Sequence, residues 1–500
     1  MTDDEKITSK EKKDDTEKPK IPKEELITTN HKIIIDGQEI DYTAQVGTLL
    51  IKEEEEGKEP KPKASIFYIA YLRNGISDIS TRPITFSFNG GPGSSSVWLH
   101  LGILGPKRVI AEVNEKPVNP PYKLVDNNFS LLDLTDLVFI DPVSTGFSRA
   151  VPGEKGTQFH EYKKDLKSVA EFIRLFTSRS KRWASPKFLI GESYGTTRAA
   201  GLSGVLQDDL GMFLNGIMLI SSILSFQTAR FNPGNDLPYI LFLPTYTATA
   251  WYHRLLSPER QKDLQSTIEE ATLFTLKDYT LALMKGDNLP EEERVQIIER
   301  LTDLTGLSRE YINGVNLRIN IYKFCKELLR KKHRTVGRLD TRYLGIERDD
   351  SNAEPEYDPS YSAIQGPYTA TFNHYVLTEL NYQNDLPYEI LTPIYKTWKY
   401  EDYHNQYLNV AEILRDAMSK NPFLKVFVGN GYYDLATPFL ATKYTFNHLG
   451  LDLGLRKNII MAYYEAGHMM YLHPPSLSKL RKDLALFIEN ALIFPSSRLD

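Results

Sequence analysis

Apolar and polar positions change rhythm several times along this chain, and the changes predict its layout. Residues 33–35, 42–50 and 65–72 are short runs rich in β-branched and aromatic side chains, as early antiparallel strands are. The acidic run Glu53 to Glu56, followed by Gly57, Pro60 and Pro62, reads as a hairpin loop between residues 41–51 and 64–73. Residues 84–88 read as a further buried strand and 137–141 as another. Residues 162–177 carry apolar side chains at helical spacing. A further apolar run, 187–190, is bounded by Pro186 and followed by small residues and leucines over 196–206, which suits a helix packed closely on a sheet. Another strand is expected at 216–221.

After about residue 226 the rhythm becomes helical. The segment is rich in Leu, Glu, Lys and Arg, with helical stretches at 291–304 and 316–331. Strand–helix alternation returns at 425–429, 438–448, 458–463 and 477–491. Alternating strands and helices predict an α/β fold, a mostly parallel central sheet with helices on both faces. The expected organisation is a charged, disordered tail over 1–28 and a first core part over 29–226. An inserted, mainly helical cap over 227–404 and a second core part over 405–500 follow.

Length and charge narrow the picture. Five hundred residues exceed one ordinary domain, in keeping with a core plus an insertion. A net charge of -5 and a pI near 6.1 provide no broad basic field, so no nucleic-acid partner is expected. No apolar run approaches the ~18 residues of a membrane span. The N-terminal residues are dense in Lys, Glu and Asp without an apolar stretch, so no secretory signal is read there and a cytoplasmic location is expected. Cys325 is the only cysteine, which rules out an intramolecular disulfide and carries no nucleophile signature around it. The composition allows a homo-oligomer.

The strongest chemical signal is Gly191-Glu192-Ser193-Tyr194-Gly195. G-x-S-x-G between a buried strand and a helix is the nucleophile elbow of α/β-hydrolases, in which a serine sits on a sharp, strained turn. A serine hydroxyl needs a neighbouring base, and the base needs an orienting acid. In this fold the partners follow in the order serine, acid, histidine. Asp434 lies just beyond the 425–429 strand and His468 just beyond the 458–463 strand, each in a glycine-containing turn. The alternatives are a helix N-cap for Asp434 and a core histidine for His468. His473 is the rival base, but it precedes Pro474-Pro475 and reads as a cap of the last helix; Asp452 lacks a strand-end context. Asn89-Gly90-Gly91-Pro92-Gly93-Ser94-Ser95-Ser96 follows the 84–88 strand. Its backbone N–H groups, with that of Tyr194, suit an oxyanion; a tight glycine turn is the alternative, and no GK[ST] follows to support a phosphate cradle.

Together the Asn89–Ser96 loop, Gly191–Gly195 and Gly467-His468-Met469 resemble the serine carboxypeptidases, exopeptidases of the α/β-hydrolase fold. Asp141 to Ser148 is similar to the family's motif before the nucleophile helix, and Tyr407-Leu408-Asn409-Val410 to its segment leading out of the cap. Asn430-Gly431-Tyr432-Tyr433-Asp434 and His468-Met469-Met470-Tyr471 are similar to sequences of its bacterial and archaeal branch. The resemblance implies a serine-type carboxypeptidase acting on peptides, without cofactor or metal. In it Ser193 is nucleophile, His468 general base and acid, Asp434 its orienter, and Gly91 and Tyr194 the oxyanion donors. Asn89, Gly90 and Glu192 would hold the substrate's terminal carboxylate. Two adjoining carboxyls do not both ionise readily, so Glu192 is expected to titrate high and peptide turnover to favour acidic pH. The chain departs from the family at Ser87, usually tryptophan, at Ile103, usually acidic, and at Ser94, usually cysteine. An esterase, amidase or acyltransferase with the same triad is the alternative activity, and a non-catalytic relative used as a binding module is a further one.

Overall fold

A computed structural model of the chain describes residues 21–54, 56–113 and 116–493. Its centre is a ten-stranded sheet. Strands β1 (Leu26–Ile35), β2 (Gln38–Glu53) and β3 (Lys61–Arg73) form an antiparallel meander at one edge. The charged tail expected over 1–28 lies outside the described residues up to residue 20. β1 then begins at Leu26, earlier than the apolar pattern suggests, because it pairs along its whole length with β2, from Leu26 opposite Gly47 to Ile35 opposite Gln38.

Six further strands complete the path: β4 (Ile84–Phe88), β5 (Asp136–Ile140), β6 (Lys187–Ser193), β7 (Gly216–Ser222), β8 (Lys425–Gly431) and β9 (Ile459–Tyr464). Their order is β1-β2-β3-β5-β4-β6-β7-β8-β9, with the two-residue strand Arg149–Ala150 against β3. From β5 to β9 every neighbour is parallel. β4 to β7 are buried throughout apart from Ser193. Alternate side chains go to opposite faces. Phe139, Phe188, Ile190, Met218, Ile220 and Phe427 belong to one apolar cluster. Ile84, Phe86, Val138, Leu189, Ile217 and Val426 belong to the other.

Helices cover both faces. α1 (Tyr162–Arg179) and α2 (Tyr194–Asp208) pack on the second cluster, where Leu166, Val169, Ile173 and Phe176 of α1 recur at helical spacing. Between β7 and β8 the chain leaves the sheet and forms α3 (Leu237–Tyr252), α4 (Leu264–Phe274) and α5 (Glu291–Thr305), which share a third apolar cluster that also takes in Tyr432, Tyr433, Phe439 and Leu440. The single helix expected over 316–331 is instead a short one at Ile321–Glu327, because Asn316 and Leu317 stand at φ +52° and +64° and turn the chain first. Cys325 is buried in that cluster. Packing divides the stretch 227–404: α6 (Pro359–Thr378) contributes Ile364, Tyr368, Phe372 and Tyr375 to the first sheet cluster rather than to the cap's. The chain returns through α7 (Ala411–Lys420), α8 (Phe439–Asn447) and α9 (Pro474–Leu492). Among the described residues no helix is long and apolar enough to cross a membrane.

The connections place the functional region. From β4 the chain moves to one side to make β5, then crosses back to make β6 on β4's other side and continues away from it. β4 and β6 therefore flank a topological switch point, and beyond the carboxyl ends of such strands is where open α/β sheets bind their ligands.

Candidate active site

Ser193 ends β6 and stands at φ +61°, ψ −129°, a region that costs a non-glycine residue roughly 1–3 kcal/mol. The β6–β7 register slips between Glu192 and Ser193, which turns the serine out of the ladder while the rest of the strand stays paired. The turn is closed so tightly that a side chain on Gly191 would collide with the Gly195 carbonyl, and one on Gly195 would come within 2.7 Å of the Phe88 carbonyl. Tyr194 begins α2 directly after the serine, so its N–H is one of the unpaired donors of a helix N-terminus. Ser193 remains half-buried where its neighbours are buried.

Register also brings the acid and the histidine together. β8 pairs with β9 up to Gly431 opposite Tyr464, so Asp434 and His468 leave adjacent strands side by side. Nδ1 of His468 lies 2.7 Å from Oδ2 of Asp434. The Thr437 hydroxyl donates to the same Oδ2 across 2.7 Å, while the N–H groups of Ala436 and Thr437 donate to Oδ1 at 2.8 and 3.0 Å. Asp434 is fully buried with its oxygens satisfied, so its aim at His468 is fixed. It does not cap α8, whose cap position is Pro438. His468 is 4% exposed. Burial opposes its charged form, but the Asp434 carboxylate, the bond to it and Glu192 outweigh that and hold its pKa above the ordinary value. Ser221 donates from Oγ to the His468 carbonyl across 2.6 Å, and the next residue, Ser222, pairs with Ser193. The three residues thus converge at the ends of β6, β8 and β9. No Ser193–His468 hydrogen bond is formed among the described residues; such bonds are often long in free enzymes and tighten on substrate.

A segment far away in sequence straps the two loops. The His468 N–H donates to the Leu339 carbonyl at 2.7 Å, and the Leu435 N–H to that of Arg338 at 3.0 Å. The Thr341 N–H donates to the Tyr433 carbonyl at 3.1 Å, and the Gly467 N–H to Oδ2 of Asp340 at 3.2 Å. Arg342 holds Asp340 in turn, at 2.7 Å.

The glycine loop comes off β4 beside the elbow. Phe88 pairs with Gly191, so the residues that follow, Asn89 and Glu192, emerge as neighbours. Nδ2 of Asn89 donates to Oε1 of Glu192 across 2.9 Å, and the Leu99 N–H donates to Oδ1 of Asn89 at 3.1 Å. Arg198 donates to the Asn89 carbonyl at 2.6 Å, is paired with Asp165 at 2.8 Å and lies over the rings of Phe88 and Tyr194. A side chain on Gly90 would press into the elbow, 2.8 Å from the Glu192 carbonyl. Gly91, at φ +102°, is exposed at the rim.

Glu192 is 3% exposed, and only its Oε1 is bonded. Burial pushes its pKa up to about 7; His468, the neighbouring Tyr471 hydroxyl and the bond from Asn89 oppose this, and Asp434 adds to it. Ser87 is buried with its hydroxyl unpaired, Ile103 is buried in the apolar cluster, and Ser94 accepts from Nε1 of Trp98 at 2.7 Å. His473 stands at the N-cap position of α9, as expected, with its ring 2.9 Å from Oγ of Ser476. Sequence reasoning missed Arg198, Thr437, Tyr471 and the 338–342 strap. The first three lie within a few residues of the motifs; nothing local marks the strap.

With this geometry in place, comparison with known proteins is direct. The sequence model of a family described as serine carboxypeptidase matches residues 57–470. "Serine carboxypeptidase-like 50" of Arabidopsis thaliana is 23% identical over 269 residues, covering 51% of this chain and 52% of that protein. A retinoid-inducible serine carboxypeptidase of Rattus norvegicus is 30% identical over 171 residues, covering 31% of this chain and 34% of that protein. The chain thus spans about half the length of the first relative and a third of the second. Among solved structures, a prohormone-processing carboxypeptidase of Saccharomyces cerevisiae superposes with a TM-score of 0.57 at 16% identity, over 90% of this chain and 91% of that one, which shows a shared α/β-hydrolase fold. The chain belongs to the serine carboxypeptidase family.

Proposed function

We propose that the protein is a serine-type carboxypeptidase that removes the C-terminal residue of peptides through an acyl-enzyme. The observation that carries this reading is the Asn89–Glu192 pair, bonded at 2.9 Å directly beside Ser193. An amide donor and a raised, buried carboxyl at that place suit a substrate's terminal carboxylate, and they align the last peptide bond on the serine.

In this mechanism Oγ of Ser193 attacks the scissile carbonyl carbon while Nε2 of His468 takes its proton. Asp434 holds the other ring nitrogen as N–H donor and stabilises the imidazolium that forms. The carbonyl oxygen, now negative, meets the N–H groups of Gly91 and Tyr194, the second strengthened by the N-terminus of α2. His468 then delivers its proton to the leaving amine nitrogen as the carbon–nitrogen bond breaks. Water repeats the sequence on the acyl ester, giving the shortened peptide and free Ser193. Glu192, kept protonated below about pH 7, donates to the substrate carboxylate instead of repelling it. We assign side-chain selection to the helical insertion over 227–404.

Two measurements test the reading together. A fluorophosphonate should label the wild type and not Ser193→Ala, and an N-blocked dipeptide should lose its C-terminal residue, followed by mass spectrometry. Labelling without any peptide cleavage would leave a serine hydrolase of another kind and overturn the proposal.

A further inference from the structure

Beside the Asn89–Glu192 pair, three buried polar atoms have no hydrogen-bond partner: Oε2 of Glu192 and the phenol oxygens of Tyr368 and Tyr471. Their residues are 3%, 0% and 2% exposed, so these groups give up water, and the one approach among them, of the Tyr471 hydroxyl to Glu192, falls short of hydrogen-bond geometry. They come from three separate elements. Glu192 is on β6, Tyr368 on α6, and Tyr471 in the short turn Met470–Leu472 just after His468. A Cβ placed on Gly102 would stand 3.1 Å from the Tyr368 oxygen and 2.6 Å from Cδ2 of Tyr471, so both rings close on that one glycine. The Glu192 charge acts on both phenols.

The donor inventory of this cluster is lopsided. Each phenol offers one O–H, and Asn89 has spent only one of its two amide N–H groups, on Glu192. A protonated Glu192 adds another O–H. These four donors have only one another's oxygens and the free oxygen of Glu192 to meet, and an anion with several lone pairs, which a carboxylate is, suits them better. Tyr368 is held rigid for the purpose, its ring packed on Trp98 with centroids 4.9 Å apart.

We propose that Tyr368 and Tyr471 are hydroxyl donors to the substrate's terminal carboxylate, completing with Asn89 and Glu192 the pocket that makes this chain read a free C-terminus. The proposal rests on the carboxypeptidase reading above and names the residues that give it specificity. Phenols present O–H donors without contributing charge, so the pocket is selective for a carboxylate over an amide or an ester, whose single acceptor oxygen satisfies fewer of them.

Tyr368→Phe and Tyr471→Phe test it, because each keeps the ring and its packing and removes only the hydroxyl. Both variants are assayed on an N-blocked dipeptide with a free C-terminus and on a p-nitrophenyl acyl ester that has none. The expected result is a fall in kcat/KM of about tenfold or more on the dipeptide, mainly through KM, with the ester rate within about twofold of wild type. Full dipeptide activity in both variants overturns the proposal while leaving the carboxypeptidase reading intact. An equal loss on both substrates assigns the hydroxyls to the architecture of the site and also overturns it. Wild-type protein that cleaves the ester and never the dipeptide overturns the carboxypeptidase reading, and this proposal with it.

Discussion

Asn89 donates to one oxygen of Glu192 across 2.9 Å and leaves the other, Oε2, buried and unbonded. The Leu99 N–H on Oδ1 of Asn89 fixes which way the amide faces, so the NH2 group must point to the glutamate. A carboxyl so placed is ready for a partner from outside the chain, and several consequences follow from its high pKa.

The first is a difference between substrates. Above about pH 7 Glu192 ionises and repels a bound carboxylate, so peptide kcat/KM should fall on that side. An ester without a carboxylate should show no such fall. On the acid side His468 becomes protonated and cannot accept from Ser193, so both substrates should lose turnover together. Profiles from about pH 4 to about pH 9 check both limbs.

The same shift sets a stability trend. Glu192 has a folded pKa of about 7 against an ordinary 4.5, so its ionisation is harder in the folded chain. Stability should therefore decline as pH rises through that window and level off above it. Glu192→Gln removes the effect: it should gain up to about 3 kcal/mol at pH 8 and nothing at pH 4, read by denaturant unfolding. An equal gain at both values would place its cause elsewhere.

How much of this could be seen in the chain alone divides along physical lines. The strands β5 to β8 are legible because burial demands apolar runs, β4 and β9 because β-branched and aromatic residues recur in them, and Ser193, Asp434, His468 and Asn89 because strand ends and glycine turns mark them. β1 was read too short: its exposed edge carries alternating polar residues, and pairing with β2 rather than burial defines its ends. The helix at 316–331 failed on two left-handed residues that no periodicity reveals. The strap at 338–342 is invisible for a different reason, since it is held mostly by backbone groups bonded to loops about a hundred residues away.

Asp434→Asn should lower kcat by about 10³–10⁴ with little change in KM, because the amide favours the wrong histidine tautomer. Steady-state kinetics on the ester, with unchanged melting, checks this.

Thr437→Val deletes a buried hydroxyl that donates to Asp434 at 2.7 Å and nearly preserves volume. The carboxylate becomes more basic, so the acid limb should move to higher pH and kcat should fall about tenfold. A structural role alone would change melting without moving the limb.

Strain at the elbow is measurable too. At φ +61° a glycine is at ease and an alanine is not, so Ser193→Gly should be more stable than Ser193→Ala by about 1 kcal/mol, although both are inactive. Helix propensity does not confound the pair, since residue 193 precedes α2.

The most direct test compares one N-blocked dipeptide with its C-terminal amide at mildly acidic pH, with mass spectrometry of the products. The account predicts release of the C-terminal residue from the free acid, little or none from the amide, and neither from Ser193→Ala. Equal cleavage of acid and amide, or hydrolysis of esters alone, would contradict it.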